Sequence, residues 1–454
     1  MSHVVQYLAT PKNTREELLS RGPKGSPTNP LIITIYIIGG LVAVLPVLVI
    51  GITVIILQLI IKCWSNNSTE IITNTIVDHT ASNKATLTLP KDNATFTVMT
   101  YNIAGLSPHI NVNQPNRRLQ EYCNRLLSTP PTLLPTVICF QESFHPYVSQ
   151  VIIKETLSTI YPFQVLSPIP QKYAVPGFEA ALEMDSGLLV CSRLPLTFAV
   201  SRPYGVSVGA DNQANKGCCL VGVTTGRKEG EEIIVATSHL QSDETNDPLW
   251  WGVAGDRGKK ARKVKELQFG IMAEFIKDTV ERRRKEGCTI VGVIACGDFN
   301  VPGEILTLLK NDSSSPPSPS NSTMVTVSEN GEHKDMMGTL NKDGIWKDAY
   351  RVIHPVIMGE VYNVDEVGIT IGGERNIDCN PLELSRLDYV LYKGDIEPKD
   401  GRVLHNEWTE LGEEDFDGDG KLKEGRDTMV EGRPERRGKC FSDHNGVVVD
   451  FRIL

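Results

Sequence analysis

Residues 289–300 read TIVGVIACGDFN. A short, unbroken run of β-branched and small apolar side chains gives way to Gly-Asp-Phe-Asn. That is the pattern of a buried strand whose end carries polar groups to the rim of a sheet while its backbone stays rigid. The same design recurs in both directions. Upstream lie FTVMTYNI (96–103), TVICFQE (136–142), SGLLVCSR (186–193), CCLVGV (218–223) and EIIVATSHL (232–240); downstream lie RLDYVLY (386–392) and GVVVDFRIL (446–454). Helical periodicity intervenes at 115–128 and 260–285, and strands mixed with helices in this way predict a layered α/β sandwich. The segment NDSSSPPSPSNST, 311–323, has the composition of a surface insertion.

The strand ends bear Asn102, Glu142, His239, Asp298, Asn300, Asp388, Asp443 and His444. Hard divalent cations take carboxylate and amide oxygens, which Glu142, Asp298, Asn300, Asn102 and Asp443 can supply. The histidines can move protons near neutral pH. A single strand-end Asp or Asn is more often a turn former or cap than a ligand. Their joint occurrence is what points to a metal-assisted site.

In order, YNI, QE, SHLQ, GDFN, LDYV and SDH resemble the signature of the endonuclease/exonuclease/phosphatase superfamily, the fold of DNase I and the inositol polyphosphate 5-phosphatases, across residues 96–454. The resemblance implies a four-layer α/β sandwich with the active site where strand ends converge. It implies that Glu142 is the principal Mg2+ (or Mn2+) ligand, with Asn102, Asp298 and Asn300 lining the metal and phosphate site and Asp443 helping to hold the metal or its water. It further implies that His444 activates the attacking water, that Asp388 fixes the His444 tautomer, and that His239 stabilises or protonates the leaving group.

Within the superfamily three stretches are similar to the neutral and bacterial-type sphingomyelinases. ADNQANKG (210–217) resembles their DN-x-x-NKG segment, with Asp211, Asn212, Asn215 and Lys216 at matching positions. Lys216 and Asn212 are then candidates for substrate binding, Lys216 as a phosphate contact or else a turn lysine beside Gly217. SHLQS followed by RKVKELQFGIMAEFI, and QESF followed by YPF, match further family arrangements, although the spacing differs and the cysteine expected after HLQ is absent. The implied activity is metal-dependent hydrolysis of sphingomyelin in a membrane leaflet to ceramide and phosphocholine, with no nucleic acid partner.

Residues 31–61 carry no charge and are long enough to cross a bilayer. A single transmembrane signal anchor is therefore expected there, a cleaved signal peptide being the alternative. Lys12, Arg15, Arg21 and Lys24 precede the span and only Lys62 follows closely, so residues 1–30 form a cytoplasmic tail and the rest faces outward. Residues 62–95, rich in Asn, Thr and Ser, read as a stalk, with order beginning near Phe96. Acceptor patterns for N-glycosylation at Asn66, Asn67, Asn93, Asn311 and Asn321 all fall on the outer side. Nine of the ten cysteines follow Cys63, which permits disulfides without specifying any; Cys218 and Cys219 are candidates.

Two outlying features remain. Trp250 and Trp251 suit either a lipid-facing loop or core packing. DFDGDGKLKEGRD (415–427) places Asp415, Asp417 and Asp419 at the first ligand positions of a calcium loop, yet Arg426 stands where the closing Glu belongs, so a second, Ca2+ site is weak or the loop is merely acidic. The net charge of -9 argues against a nuclease built on a cationic groove. Outward topology argues against an inositol polyphosphate phosphatase. A binding ectodomain on a dead enzyme fold is opposed by the complete set of metal and base residues.

Overall fold

Continuous burial, rather than alternation, marks the central strands. Every residue of Glu231–His239 is buried, and Gly217–Thr224 is buried up to its last residue, as a sheet covered on both faces requires. The computed structural model describes residues 71–80, 95–105, 115–144, 153–166, 185–209, 211, 214–242, 257–308, 324–343, 346–363, 366–370, 385–404, 429–430, 433–434, 442 and 444–454.

Two seven-stranded sheets dominate. The first runs β1 (Ile72–Thr73), β7 (Leu196–Pro203), β8 (Gly217–Thr224), β9 (Glu231–His239), β10 (Thr289–Asp298), β15 (Asp388–Gly394), β13 (Lys347–Asp348). The second runs β16 (Ile396–Leu404), β19 (Gly446–Ile453), β3 (Thr95–Asn102), β4 (Val137–Gln141), β6 (Leu189–Ser192), β5 (Phe163–Leu166), β2 (Val77–Asp78). Each contains one parallel pair, β9 with β10 and β3 with β4, among antiparallel neighbours. Parallel neighbours need a crossover, and each pair has one helix between its strands: α1 (Pro115–Ser128) follows β3 and α3 (Arg257–Lys285) follows β9. A small sheet of β11 (Glu304–Leu308), β12 (Met324–Glu329) and β14 (Val361–Asn363) and a ribbon of β17 (Met429–Val430) and β18 (Arg433–Pro434) complete the strands, with α2 (Lys154–Leu157), α4 (Gly331–Leu340) and α5 (Ala349–Ile353) between them.

The sheets pack face to face through Phe96, Val98, Val137 and Cys139 on one side and Cys219, Val221, Val235, Ile294 and Cys296 on the other. The outer face of the first sheet is covered by Phe269, Met272, Phe275 and Ile276 of α3. That of the second is covered by Leu119, Tyr122, Cys123 and Leu126 of α1 and by Leu157 of α2. Helix, sheet, sheet and helix are the four layers expected from the sequence.

Several expectations change. Order does not wait for Phe96: within the stretch read as a stalk, Ile72–Thr73 adds an edge strand to β7 and Val77–Asp78 adds one to β5. Asn74 secures the passage by donating to Ser201 Oγ at 2.6 Å. Ile72, Asn74 and Ile76 alternate with exposed neighbours, but in a run too short to stand out from Asn/Thr-rich sequence. Cys218 and Cys219 are free, as are Cys123, Cys139, Cys191, Cys288 and Cys296. Adjacent positions on a strand face opposite ways, so Cys218 joins the core under α3 while Cys219 joins the core between the sheets. The apolar span 31–61, the five glycosylation patterns, Trp250, Trp251 and the acidic loop with Asp415, Asp417 and Asp419 lie outside the described residues. Among the described residues no helix is long and apolar enough to cross a membrane.

A buried ion cluster fixes the start of β11. Glu304 receives Arg351 at 2.6 and 2.9 Å and Arg386 at 3.0 Å, and Arg386 also reaches Asp348 at 2.7 Å. Burial pushes the Glu304 carboxyl up, but Arg386 and Arg351 outweigh it and hold the group down to about 2.

Candidate active site

Both parallel pairs end at one rim. β3 ends on Asn102, β4 on Gln141 with Glu142 next, β9 on His239 and β10 on Asp298. In register Asp298 lies opposite His239 on one side and Asp388, the first residue of β15, on the other. Buried strands thus deliver four of the polar groups, and the antiparallel strands β15 and β19 contribute Asp388 and His444 from the start of their own runs.

Asn102 joins the two halves. Its Nδ2 donates to Glu142 Oε1 at 2.9 Å and to Asp298 Oδ2 at 3.0 Å, while its Oδ1 accepts the Ala104 N–H at 3.0 Å. The amide nitrogen therefore bridges the two carboxylates. His239 Nε2 lies 3.5 Å from Asp298 Oδ2 and 3.9 Å from Glu142 Oε1. His444 Nε2 lies 3.6 Å from Asp298 Oδ2, and His444 Nδ1 meets Asp388 Oδ2 at 2.8 Å. Ligand atoms of Glu142, His239 and Asp298, and of Asp298, Asp388 and His444, fall within 4.8 Å of one another.

Backbone strain gathers here. Ala104, Glu142 and Asn300, at φ of 46°, 57° and 51°, are the positive-φ non-glycine residues among those described. Each such conformation costs on the order of 1–3 kcal/mol and persists only where its surroundings impose it. For Asn300 the surroundings are visible: its N–H donates to Asp298 Oδ1 at 2.9 Å, its Nδ2 to Leu240 O at 3.1 Å, and its carbonyl accepts Lys265 Nζ at 2.7 Å. Gly297, at φ 148°, lets β10 pass β9, since a Cβ there would stand 1.9 Å from Ser238 O.

The donor set fits a hard divalent cation. Glu142, with its side chain 19% exposed, is the more accessible carboxylate, and Asp298 is buried. Burial pushes Asp298 up to about 6; Asp388 adds to the rise, while His444, the Asn102 amide and the Asn300 N–H pull against it. A carboxylate held that high lacks positive charge to offset its desolvation, and a cation supplies it. Asp388 Oδ1 and His239 Nδ1 are buried with no hydrogen-bond partner among the described residues. His239 is held well below the usual histidine range by burial, reinforced by Lys216 and His444, and is neutral at physiological pH.

The structure thus brings together Asn102, Glu142, His239, Asp298, Asn300, Asp388 and His444, while Asn212 and Asp443 lie outside the described residues. Lys216 is close by but engaged: it is 3% exposed, donates to Leu240 O at 2.6 Å and pairs with Asp211 at 2.9 Å. Asp211 Oδ2 in turn accepts the Ser242 N–H at 2.7 Å. Asp211 and Lys216 therefore brace the loop that follows His239.

Other supports lie within the quoted stretches RKVKELQFGIMAEFI and SDH but carried no assigned role. Lys265 of α3, 2% exposed, holds the Asn300 carbonyl and pairs with Glu332 of α4 at 2.8 Å. Gln268, one turn on, accepts the Gln241 N–H at 2.8 Å and donates to Val206 O at 2.7 Å. Ser442 Oγ donates to Asn102 O at 2.6 Å and accepts the His444 N–H at 3.2 Å. A polar residue in an otherwise apolar helical stripe, as at 265 and 268, is the one signal the sequence offers.

The family model described as the Endonuclease/Exonuclease/phosphatase family matches residues 99–444. No curated protein matches. Among solved structures, sphingomyelinase C from Streptomyces griseocarneus is 16% identical, with a TM-score of 0.48 over 78% of this chain and 99% of its own. A beta toxin from Staphylococcus aureus is 17% identical, with a TM-score of 0.45 over 78% and 99%. D. rerio TDP2, complexed with a single-strand DNA product, is 13% identical, with a TM-score of 0.43 over 79% and 99%. The family model covers most of the chain and spans every strand end that meets at the rim, from Asn102 to His444, so the chain belongs to the endonuclease/exonuclease/phosphatase family.

Proposed function

We propose that this protein is a divalent-metal-dependent phosphodiesterase that hydrolyses sphingomyelin to ceramide and phosphocholine at an outward-facing membrane leaflet, anchored by residues 31–61. The observation that carries the chemistry is the arrangement around Asp298: the His444–Asp388 pair on one side, and His239 and Glu142 on the other. His444 uses Nε2 to take a proton from the attacking water, and Asp388 keeps its hydrogen on Nδ1 and steadies the imidazolium that forms. Glu142 and Asp298 would hold the cation, assisted by Asp443. Once bound, Mg2+ or Mn2+ supplies charge to offset that developing on the phosphoryl oxygens. His239, neutral in its buried seat, acts by hydrogen bonding to the leaving oxygen, and Asn300 orients the phosphate.

Specificity for sphingomyelin is supported by the DN-x-x-NKG segment. Its Asp211 and Lys216 are built into the wall beside His239 through Leu240 and Ser242. An apolar N-terminal span would hold the domain against the surface where this substrate resides.

The test uses the full-length protein in mixed micelles and measures phosphocholine release from sphingomyelin and phosphatidylcholine, with Mg2+ or EDTA and a supercoiled DNA nicking control. Release from sphingomyelin that EDTA abolishes, without nicking, is the expected result. Nicking without release overturns the substrate, and neither activity with any of Mg2+, Mn2+ or Ca2+ overturns the enzyme.

A further inference from the structure

The pair that moves the proton is drawn from two sheets. Asp388 opens β15 in the first, and His444 stands ahead of β19 in the second. Their 2.8 Å contact depends on how these two strand starts are registered across the sandwich, and that register is not set by ladder hydrogen bonds, since β15 and β19 do not pair. Among the described residues, Thr370 hydrogen-bonds the backbone of both starts. Thr370, fully buried, accepts the Leu387 N–H at 2.9 Å and the Asp388 N–H at 3.2 Å on its hydroxyl oxygen. Its backbone carbonyl accepts the Asn445 N–H at 2.7 Å, and its own N–H donates to Ser385 O at 3.0 Å. Next to it, Ile369 O accepts Asn445 Nδ2 at 3.2 Å.

From this we infer that Thr370 is a positioning residue for the Asp388–His444 pair, clamping the two strand starts so that Asp388 Oδ2 meets His444 Nδ1. Two features fit this role better than packing alone. The hydroxyl accepts two consecutive backbone N–H groups, which a methyl group cannot do, and buried donors without partners are costly. Asp388 Oδ1 has no hydrogen-bond partner among the described residues, so the backbone at 387–388 and the contact with His444 carry the aspartate's orientation. The inference rests on the proposed roles of Asp388 and His444 in water activation.

Thr370→Val keeps the shape and removes the acceptor; Thr370→Ser keeps the acceptor and removes the methyl. The expected result for Thr370→Val is a fall in kcat on the order of ten- to a hundredfold, the usual range for partners of active-site groups, with KM changed less than about threefold and recovery of most of kcat in Thr370→Ser. If the Val variant does not fold, Thr370→Ala against Thr370→Ser makes the same contrast. Independently of turnover, the hydrogen-bonded Nδ1–H proton of His444, assigned by its loss in His444→Gln, is expected downfield in the wild-type NMR spectrum and in Thr370→Ser, and broadened or lost in Thr370→Val. An active wild type with unchanged kcat in the folded Val variant overturns the inference, as does an unchanged imidazole proton. If the wild type hydrolyses no phosphodiester, the proposed function fails, and the imidazole proton alone then decides whether Thr370 is the clamp.

Discussion

Side by side, β3–α1–β4 and β9–α3–β10 are the same unit used twice. Each is a parallel pair with a helix on the outer face, flanked by antiparallel strands in matching order: β19, β3, β4, β6 in one sheet and β8, β9, β10, β15 in the other. Each delivers one polar residue from each parallel strand end, Asn102 and Glu142 from one, His239 and Asp298 from the other. Each helix also sends one buried cation to the carbonyl of a left-handed residue at the rim: Arg118 of α1 donates to Ala104 O at 3.1 Å, and Lys265 of α3 donates to Asn300 O at 2.7 Å. The halves differ in what they bury. The first holds the more accessible carboxylate, Glu142; the second keeps Asp298 and His239 sealed, with a longer helix and the Lys265–Glu332 pair behind them. On the proposed chemistry, the first half would offer the more exposed carboxylate for metal capture and the second the buried groups at the reacting phosphate.

The strongest way to break that division is at its junction. His444→Ala should lower kcat by about 10²–10⁴-fold with the fold intact, because it removes the proton acceptor. Glu142→Ala should instead raise the Mg2+ concentration needed for half-maximal rate well above that of the wild type. Metal titrations of both variants check this, and a Glu142→Ala protein with an ordinary metal requirement would end the idea of a capture side.

The two buried cations come next. Lys265→Met removes a buried ammonium from both the Asn300 carbonyl and the half-buried Glu332 carboxylate and should cost about 2–4 kcal/mol. Arg118→Met loses a charged donor to a carbonyl and should cost about 1–3 kcal/mol. Urea denaturation of both gives the order, and a larger loss for Arg118→Met would mean the first half is the more heavily braced.

A pH dependence also separates the halves. Asp298 is raised from 3.8 to about 6 in the folded protein, so the native state holds a proton the unfolded chain has released. Its stabilising contribution is complete below 3.8 and is lost as pH rises through about 6. Metal-free protein should lose some stability between pH 4 and 7 that Mg2+ restores, and Asp298→Asn should flatten that part of the profile in EDTA. Glu304 behaves oppositely: held down at about 2, it contributes fully above 4.5 and its contribution fades as pH falls toward 2.

The strand ends were legible because chemistry and burial coincide there. GDFN follows an apolar run and SDH precedes one, so Asp298 and His444 could be placed at a rim before any contact was known. Thr370 could not, since Gly-Ile-Thr in a polar stretch has no period and its role depends on two backbone segments remote in sequence. Lys216 shows a different limit. The sequence left Lys216 open between a phosphate contact and a turn lysine, and the spacing could not show that two of its three N–H groups go to Leu240 O and Asp211. The pairing of Ile72–Thr73 and Val77–Asp78 escaped notice because two-residue strands bury too little to leave a pattern.

Those short strands have a practical consequence. A protein trimmed to begin at Phe96 would keep every residue of the rim, yet it would strip the covering from β7 in one sheet and β5 in the other, leaving two open rows of backbone donors and acceptors. Such rows recruit strands from other molecules. Truncation there should therefore show itself first as concentration-dependent aggregation, with catalysis in the surviving monomer little changed.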